Sequence, residues 1–175
     1  MRIVAFGTQA WLVYTDRPLA LAAAIPGSVP GEDCVLIRDR DALERLTHVP
    51  EPPPSRLVTL EADWNGEDLH EVIDRTGVDV VTTLRSTIFT VAFCGFSPGF
   101  AYMHGLPQGL HLPRRERPRP QVPAGAIAIA AGYVAVYPTA SPGGWHLLGH
   151  SATRLFDPEW EHPALLRPGT RVRFT

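Results

Sequence analysis

Ala126-Ile-Ala-Ile-Ala-Ala-Gly-Tyr-Val-Ala-Val-Tyr-Pro138 divides into two short strand-like runs, residues 126–130 and 134–137, parted at Gly132 and stopped by Pro138. The same texture continues on both sides. Residues 89–93 upstream, and 145–148 and 171–174 downstream, are further short apolar runs punctuated by Gly and Pro. Several short strands with turn signals between them predict a β-barrel or sandwich. With 15 Gly and 18 Pro in 175 residues the chain turns often, which favours strands and loops over long helices.

Ahead of this region, residues 57–62 read as a strand. Residues 67–76 form an amphipathic helix with Leu69, Val72 and Ile73 on one face and Gly77 as its stop. A second helix is expected over 79–86. Residues 1–50 read as a small α/β unit, with strands at 3–6 and 11–14 around a turn at Gly7-Thr8-Gln9. A short helix over 19–24 is expected to be capped by Asp16, with Pro18 in its first turn, and residues 34–37 suit a buried strand. Asp41-Ala-Leu-Glu44 has the spacing of a capping box. Pro50-Glu-Pro-Pro-Pro54 is the clearest linker. The expected organisation is therefore an N-terminal domain over 1–50, a linker over 51–56 and a β-barrel domain over 57–175.

Apolar residues make up 45% of the chain and charged residues 19%, which fits a packed globular protein. A net charge of −2 offers no electrostatic case for nucleic acid or an acidic membrane. Cys34 and Cys94 sit in apolar surroundings, without the partners of a disulfide framework or a metal site, and read as buried free thiols. Met1-Arg-Ile-Val-Ala-Phe-Gly7 reads as a strand and lacks a signal-peptide core, so a reducing cytoplasm is the expected location.

Three segments carry candidate chemistry. In Phe93-Cys-Gly-Phe-Ser-Pro-Gly-Phe-Ala-Tyr-Met-His-Gly-Leu-Pro107, glycines permit unusual backbone turns while Phe96, Phe100, Tyr102 and Met103 alternate with Ser97 and His104. This is either a pocket wall or a tight core crossover. In Leu112-Pro-Arg-Arg-Glu-Arg-Pro-Arg-Pro120, four arginines lie on a proline-stiffened chain. Arg114 and Arg119 suit a carboxylate or phosphate, or else belong to a solvated loop. In Ser141-Pro-Gly-Gly-Trp-His-Leu-Leu-Gly-His150, consecutive Gly143 and Gly144 amides are able to cradle an oxyanion, Trp145 supplies an apolar wall, and His146 and His150 titrate near neutrality. Both histidines have an equally ordinary structural reading.

These segments, in this order, resemble the family of the 5-oxoprolinase B-subunit, allophanate hydrolase subunit 1 and the sporulation-kinase inhibitors. The matches are Gly95-Phe-Ser-Pro-Gly-Phe-Ala-Tyr102, Gly105-Leu106, Pro113-Arg114, Pro118-Arg119, Val122-Pro-Ala-Gly125, Tyr137-Pro138, Ser141-Pro-Gly-Gly-Trp145 and the ending over 166–174. The resemblance implies an α+β, mainly β fold, a cyclophilin-like barrel behind a small α/β domain. It also implies a subunit that joins a larger homologous subunit in ATP-dependent opening of a lactam or amide. No cofactor is then bound by this chain alone, and ATP is used by the assembled complex. On that reading Arg119, Arg114 and His150 are the catalytic candidates. Ser97, Phe100, Tyr102, Tyr133, Gly143, Gly144, Trp145 and His146 are the substrate-binding ones; no metal ligands are expected.

The chain departs from the family pattern in three places. Ala131-Gly-Tyr-Val-Ala135 replaces a segment bearing Gln and Thr, Gly149-His-Ser151 replaces Gly-Arg-Thr, and Arg85 stands where a His is common. Two other readings therefore stay open. One is a stand-alone paralogue using the barrel pocket for a cyclisation or isomerisation in secondary metabolism. The other is a non-catalytic module that inhibits a histidine kinase.

Overall fold

The computed structural model describes residues 2–46, 48, 49, 51 and 55–175. The chain forms two compact units, Met1–Ser55 and Arg56–Thr175. Pro50 and Pro52–54, the heart of the expected linker, lie outside the described residues.

The first unit holds β1 (Arg2–Ala5), β2 (Trp11–Tyr14), α1 (Pro18–Ala24), β3 (Val29–Pro30), β4 (Cys34–Ile37) and α2 (Arg40–Arg45). Its strands form one antiparallel sheet in the order β1-β2-β4-β3. Val13, Leu21, Ile25, Val35, Ile37 and Leu43 make its core. Two expected caps are corrected. Arg17, not Asp16, is the N-cap of α1 and makes no side-chain cap, because Pro18 at the first helical position leaves one fewer amide to satisfy. Asp39, not Asp41, caps α2, accepting from the Ala42 amide at 2.9 Å. The helix starts one residue before Asp41, which instead sits in its first turn.

The second unit begins with β5 (Leu57–Leu60), α3 (Leu69–Thr76) and α4 (Val80–Ser86). Gly77 ends α3 in the left-handed conformation at φ 67°, and Asp79 caps α4 through the Thr82 amide. There follow β6 (Phe89–Cys94), β7 (Ala101–His104), β8 (Arg119–Val122), β9 (Ala126–Ala130), β10 (Tyr133–Val136), β11 (Ser141–Gly143), β12 (His146–His150) and β13 (Arg171–Phe174). Seven of these strands make one sheet in the order β12-β9-β10-β7-β6-β13-β5. The sheet curls until its edges meet. Beyond β5 the chain runs on to Asp63, which bridges His150 of β12 with two 2.8 Å backbone hydrogen bonds. Gly66 and Gly149 permit this closure, since a β-carbon at either would strike the opposing backbone. The fold is mainly β, as expected.

Strand alternation sorts side chains to two faces. Ile127, Ile129, Val134 and Val136 enter the main core, which α3 and α4 complete with Leu69, Val72, Val80 and Leu84. Ala126, Ala128, Ala130, Tyr133 and Ala135 face the other way, into a second cluster with Phe100, Tyr137 and Trp145. Small alanines under large rings leave this face room for the ribbon formed by β8 and β11. Cys34 and Cys94 are free and only partly buried. Burial pushes the Cys94 thiol up to about 11. No helix among the described residues is long and apolar enough to cross a membrane.

Candidate functional site

The turn between β6 and β7 is built from three local hydrogen bonds, Ser97 N to Gly95 O, Phe100 N to Ser97 O and Gly95 N to Phe100 O. It places Phe96 at φ +69°, a left-handed conformation that an aromatic residue rarely adopts. Its ring stands 62% exposed, edge-on to Phe100 at 5.2 Å and to Tyr137 at 6.5 Å. Phe100, nearly buried, is the hub. It also meets Tyr102, Tyr137 and Trp145 at 5.0–5.7 Å, mostly edge to face, which is the favoured geometry for aromatic pairs.

The opposite wall comes from the ribbon. Phe96, Phe100, Tyr102, Tyr137 and Trp145 face Pro118, Pro142, Gly143 and Gly144 across a cleft of about 230 Å³, with Arg114 at its edge. Gly143 is required because a side chain there would collide with the Tyr137 phenol. Burial pushes the Tyr102 and Tyr137 phenols up, and the positive charge of Arg114 offsets this only in part, so both are protonated donors at neutral pH.

Arg115 and Arg119, which follow Arg114 in the chain, belong to an ion-pair network. Asp68, 3% exposed, accepts 2.7 Å hydrogen bonds from Arg115, Arg119 and the Leu147 amide. Burial by itself would raise its pKa. The hydrogen bonds from Arg119 and Leu147, with the charges of Arg119 and Arg115, outweigh it and hold the carboxyl below its usual value. Arg119 also reaches Glu67 at 3.2 Å. A second cleft of about 350 Å³ opens alongside, lined by Glu71, Arg75, His146 and the stretch 113–117, so that Arg114 borders both. Among the described residues no group of three or more His, Cys, Asp or Glu is placed to hold a metal ion.

The structure thus brings Phe100, Tyr102, Arg114, Gly143, Gly144 and Trp145 around one hollow, and His146 into the neighbouring one. Four expectations are corrected. Arg119 is not a free anion-binding cation; its guanidinium is spent on Asp68 and Glu67. Gly143 and Gly144 form no left-handed nest, since neither has positive φ, and the need for glycine at 143 is steric. His150 lines neither cleft and packs over Gly125 where the sheet closes. Ser97 and Tyr133 also lie outside the lining, Ser97 with its hydroxyl buried in the turn and Tyr133 edge-on to Phe93 and Tyr102 and tilted against His104. Sequence reasoning missed the lining role of Tyr137 and the whole contribution of Asp68, and it left Phe96 between a pocket wall and a core crossover. The Tyr137-Pro138 pair beside the strand was the one available signal; an isolated Asp at a helix start carries none.

Comparison with known proteins agrees with the fold. Residues 35–166 match the family model described as carboxyltransferase domain, subdomain C and D. The 5-oxoprolinase B-subunit of Escherichia coli O157:H7 is 43% identical over 145 residues, covering 77% of this chain and 66% of that protein. Its Bacillus subtilis counterpart is 36% identical over 143 residues, covering 77% of this chain and 60% of that protein. The chain thus spans 60–66% of the length of these two relatives. The crystal structure of TTHA0988 superposes with a TM-score of 0.81 at 36% identity, covering 95% of this chain and 40% of that one. The curled sheet, the order of the motifs along it and these matches together place the chain in the carboxyltransferase domain, subdomain C and D family.

Proposed function

We propose that this chain is a subunit of an ATP-dependent amide or lactam hydrolase working with a larger homologous subunit, and that its aromatic cleft holds a small carboxylated lactam of the 5-oxoproline kind. The observation that carries this is Arg114. Among the described residues no ion pair or hydrogen bond reaches its guanidinium, and it stands at the edge of a cleft walled by rings. Such a site matches a ligand with an apolar body and one anionic end. The guanidinium takes the carboxylate through paired hydrogen bonds, the rings exclude water, and the protonated phenols of Tyr102 and Tyr137 offer hydrogens to a carbonyl.

The titratable groups lining the cleft are one arginine and two tyrosines. A guanidinium has no lone pair with which to accept a proton, and both phenols stay protonated at neutral pH, so none serves there as a general base. The chain binds and orients; proton-transfer groups come from a partner, and ATP in the assembled complex makes the amide a better electrophile. That division of labour favours a partnered subunit over a stand-alone enzyme of altered chemistry. The names of the curated relatives support it.

In an assembly reconstituted with the partner subunits, Arg114→Ala should raise KM for 5-oxoproline about ten- to hundredfold, the loss of one charge-assisted pair. Its melting temperature should stay unchanged because Arg114 is exposed. An unaltered KM would take Arg114 out of the site. A wild-type assembly whose ATP hydrolysis does not respond to 5-oxoproline would refute the hydrolase reading itself.

A further inference from the structure

We propose that the second cleft binds a phosphoryl dianion, free phosphate or the phosphoryl group of a small phosphomonoester, on the guanidiniums of Arg114 and Arg117. The proposal goes beyond the lactam reading and stands without it.

The chain has 16 basic residues, every one an arginine, and Arg75, Arg114, Arg115 and Arg117 line this one cleft against Glu71 and Glu116. A chain of net charge −2 thus carries a local excess of positive charge here. The four arginines are unevenly committed. Arg75 is held by Glu71 at 3.2 Å, and Arg115 by Asp68 at 2.7 Å and Glu71 at 3.2 Å. Arg114 and Arg117 reach no carboxylate among the described residues. Both are exposed, as is Glu116, whose carboxylate is the remaining charge on the wall.

The segment that carries the free pair is fastened before any ligand arrives. The Arg115 amide donates to the Gly144 carbonyl at 2.7 Å, and the Pro113 carbonyl lies 3.0 Å from His146 Nε2, so the backbone is held on both sides of Arg114. An ordered backbone lowers the entropy lost on binding. The number of free forks sets the class of anion. A carboxylate has two oxygens and one charge, which a single guanidinium satisfies. A phosphoryl dianion has three terminal oxygens and nearly two charges, enough for both forks at once. The volume of about 350 Å³ is in the range of small-molecule sites and leaves room for the body of a phosphomonoester. Arg114 also borders the aromatic cleft, whereas Arg117 lines the second cleft alone, so Arg117 is the diagnostic residue.

The test is calorimetric titration of the whole chain with inorganic phosphate, phenyl phosphate and acetate, at about pH 8, above the second ionisation of a phosphoryl group. Wild type should bind phosphate saturably and about tenfold or more tightly than acetate, which fills one fork and leaves the other unused. Arg117→Ala should weaken phosphate about tenfold and close that gap. Glu116→Gln should strengthen phosphate about two- to fivefold, by removing a charge that repels the ion. Both replaced side chains are exposed, so both variants should melt as wild type does, and a gain in affinity is not what a damaged fold produces. No saturable phosphate binding, acetate bound as tightly as phosphate, an affinity unmoved by Arg117→Ala, or one weakened by Glu116→Gln each overturns the proposal. Phenyl phosphate bound more tightly than phosphate assigns the site to a phosphoryl group on a larger molecule, and the reverse order assigns it to the free ion. The assay uses neither partner nor ATP, so its failure leaves the lactam reading standing.

Discussion

The Asp68 carboxylate takes three 2.7 Å hydrogen bonds, from Arg115, Arg119 and the Leu147 amide, at 3% exposure. Arg119→Ala would leave a largely buried carboxylate oxygen short of a donor, so it should destabilise the fold by about 1–3 kcal/mol, seen as a lower urea midpoint. A stability unchanged by Arg119→Ala would contradict the network. The folded pKa of Asp68 lies below its ordinary value, so its ionised form stabilises the fold above the ordinary carboxylate range. That contribution is lost as pH falls below about 4 and through the folded pKa. Asp68→Asn should therefore be less stable at neutral pH and show a shallower loss on acidification, measured as urea midpoint against pH. The adjacent glycines offer a paired comparison. Gly143→Ala forces a methyl onto the Tyr137 phenol and should cost about 1–3 kcal/mol, as overpacking does. A methyl on Gly144 meets nothing closer than 3.6 Å, so Gly144→Ala should melt as wild type does. Equal melting temperatures for the two variants would show that the phenol yields.

Among the elements, the turn joining β6 to β7 is where backbone strain and exposed ring coincide. Holding Phe96 at φ +69° costs about 1–2 kcal/mol relative to a right-handed conformation. Glycine tolerates that φ without penalty. Phe96→Gly should therefore melt no lower than wild type, although it deletes the edge-on contacts with Phe100 and Tyr137. In a reconstituted assembly it should raise KM for 5-oxoproline about three- to tenfold, the worth of one aromatic pair. Loss of stability with unchanged KM would mean that the ring serves packing rather than ligand. The β8–β11 ribbon has the complementary task of carrying Gly143 and Pro118 over the aromatic face.

For the molecule as a whole, the main core and the aromatic cluster draw only on residues from Val58 onward, while Val13, Leu21, Ile25, Val35, Ile37 and Leu43 form a separate core. The seven-stranded sheet and its closing bridge lie entirely within Arg56–Thr175. A fragment of residues 56–175 should accordingly unfold in one cooperative transition by calorimetry. A broad, non-cooperative melt would show that the sheet depends on the first unit.

What could be read locally was read well, because local hydrogen bonding and side-chain alternation leave their marks within a few residues. The strand at Ala126–Ala130, the terminal strand at Arg171–Phe174 and the Gly77 stop follow from such marks. β7, β8 and β11 left none, since short segments rich in Gly and Pro become strands only by pairing with a neighbour. At the site, the three segments and the aromatic character of the wall were legible, and the fate of each charge was not. Arg119 meets Asp68 across 51 residues, Leu147 meets it across 79, and His146 meets Pro113 across 33. Composition and spacing settled that the chain would be β-rich and would present aromatic, arginine and glycine segments in order. Tertiary folding alone determined that Arg119 is spent while Arg114 stays free, and that one imidazole nitrogen is left without a partner, because a charge is partnered by whatever lies nearest in space.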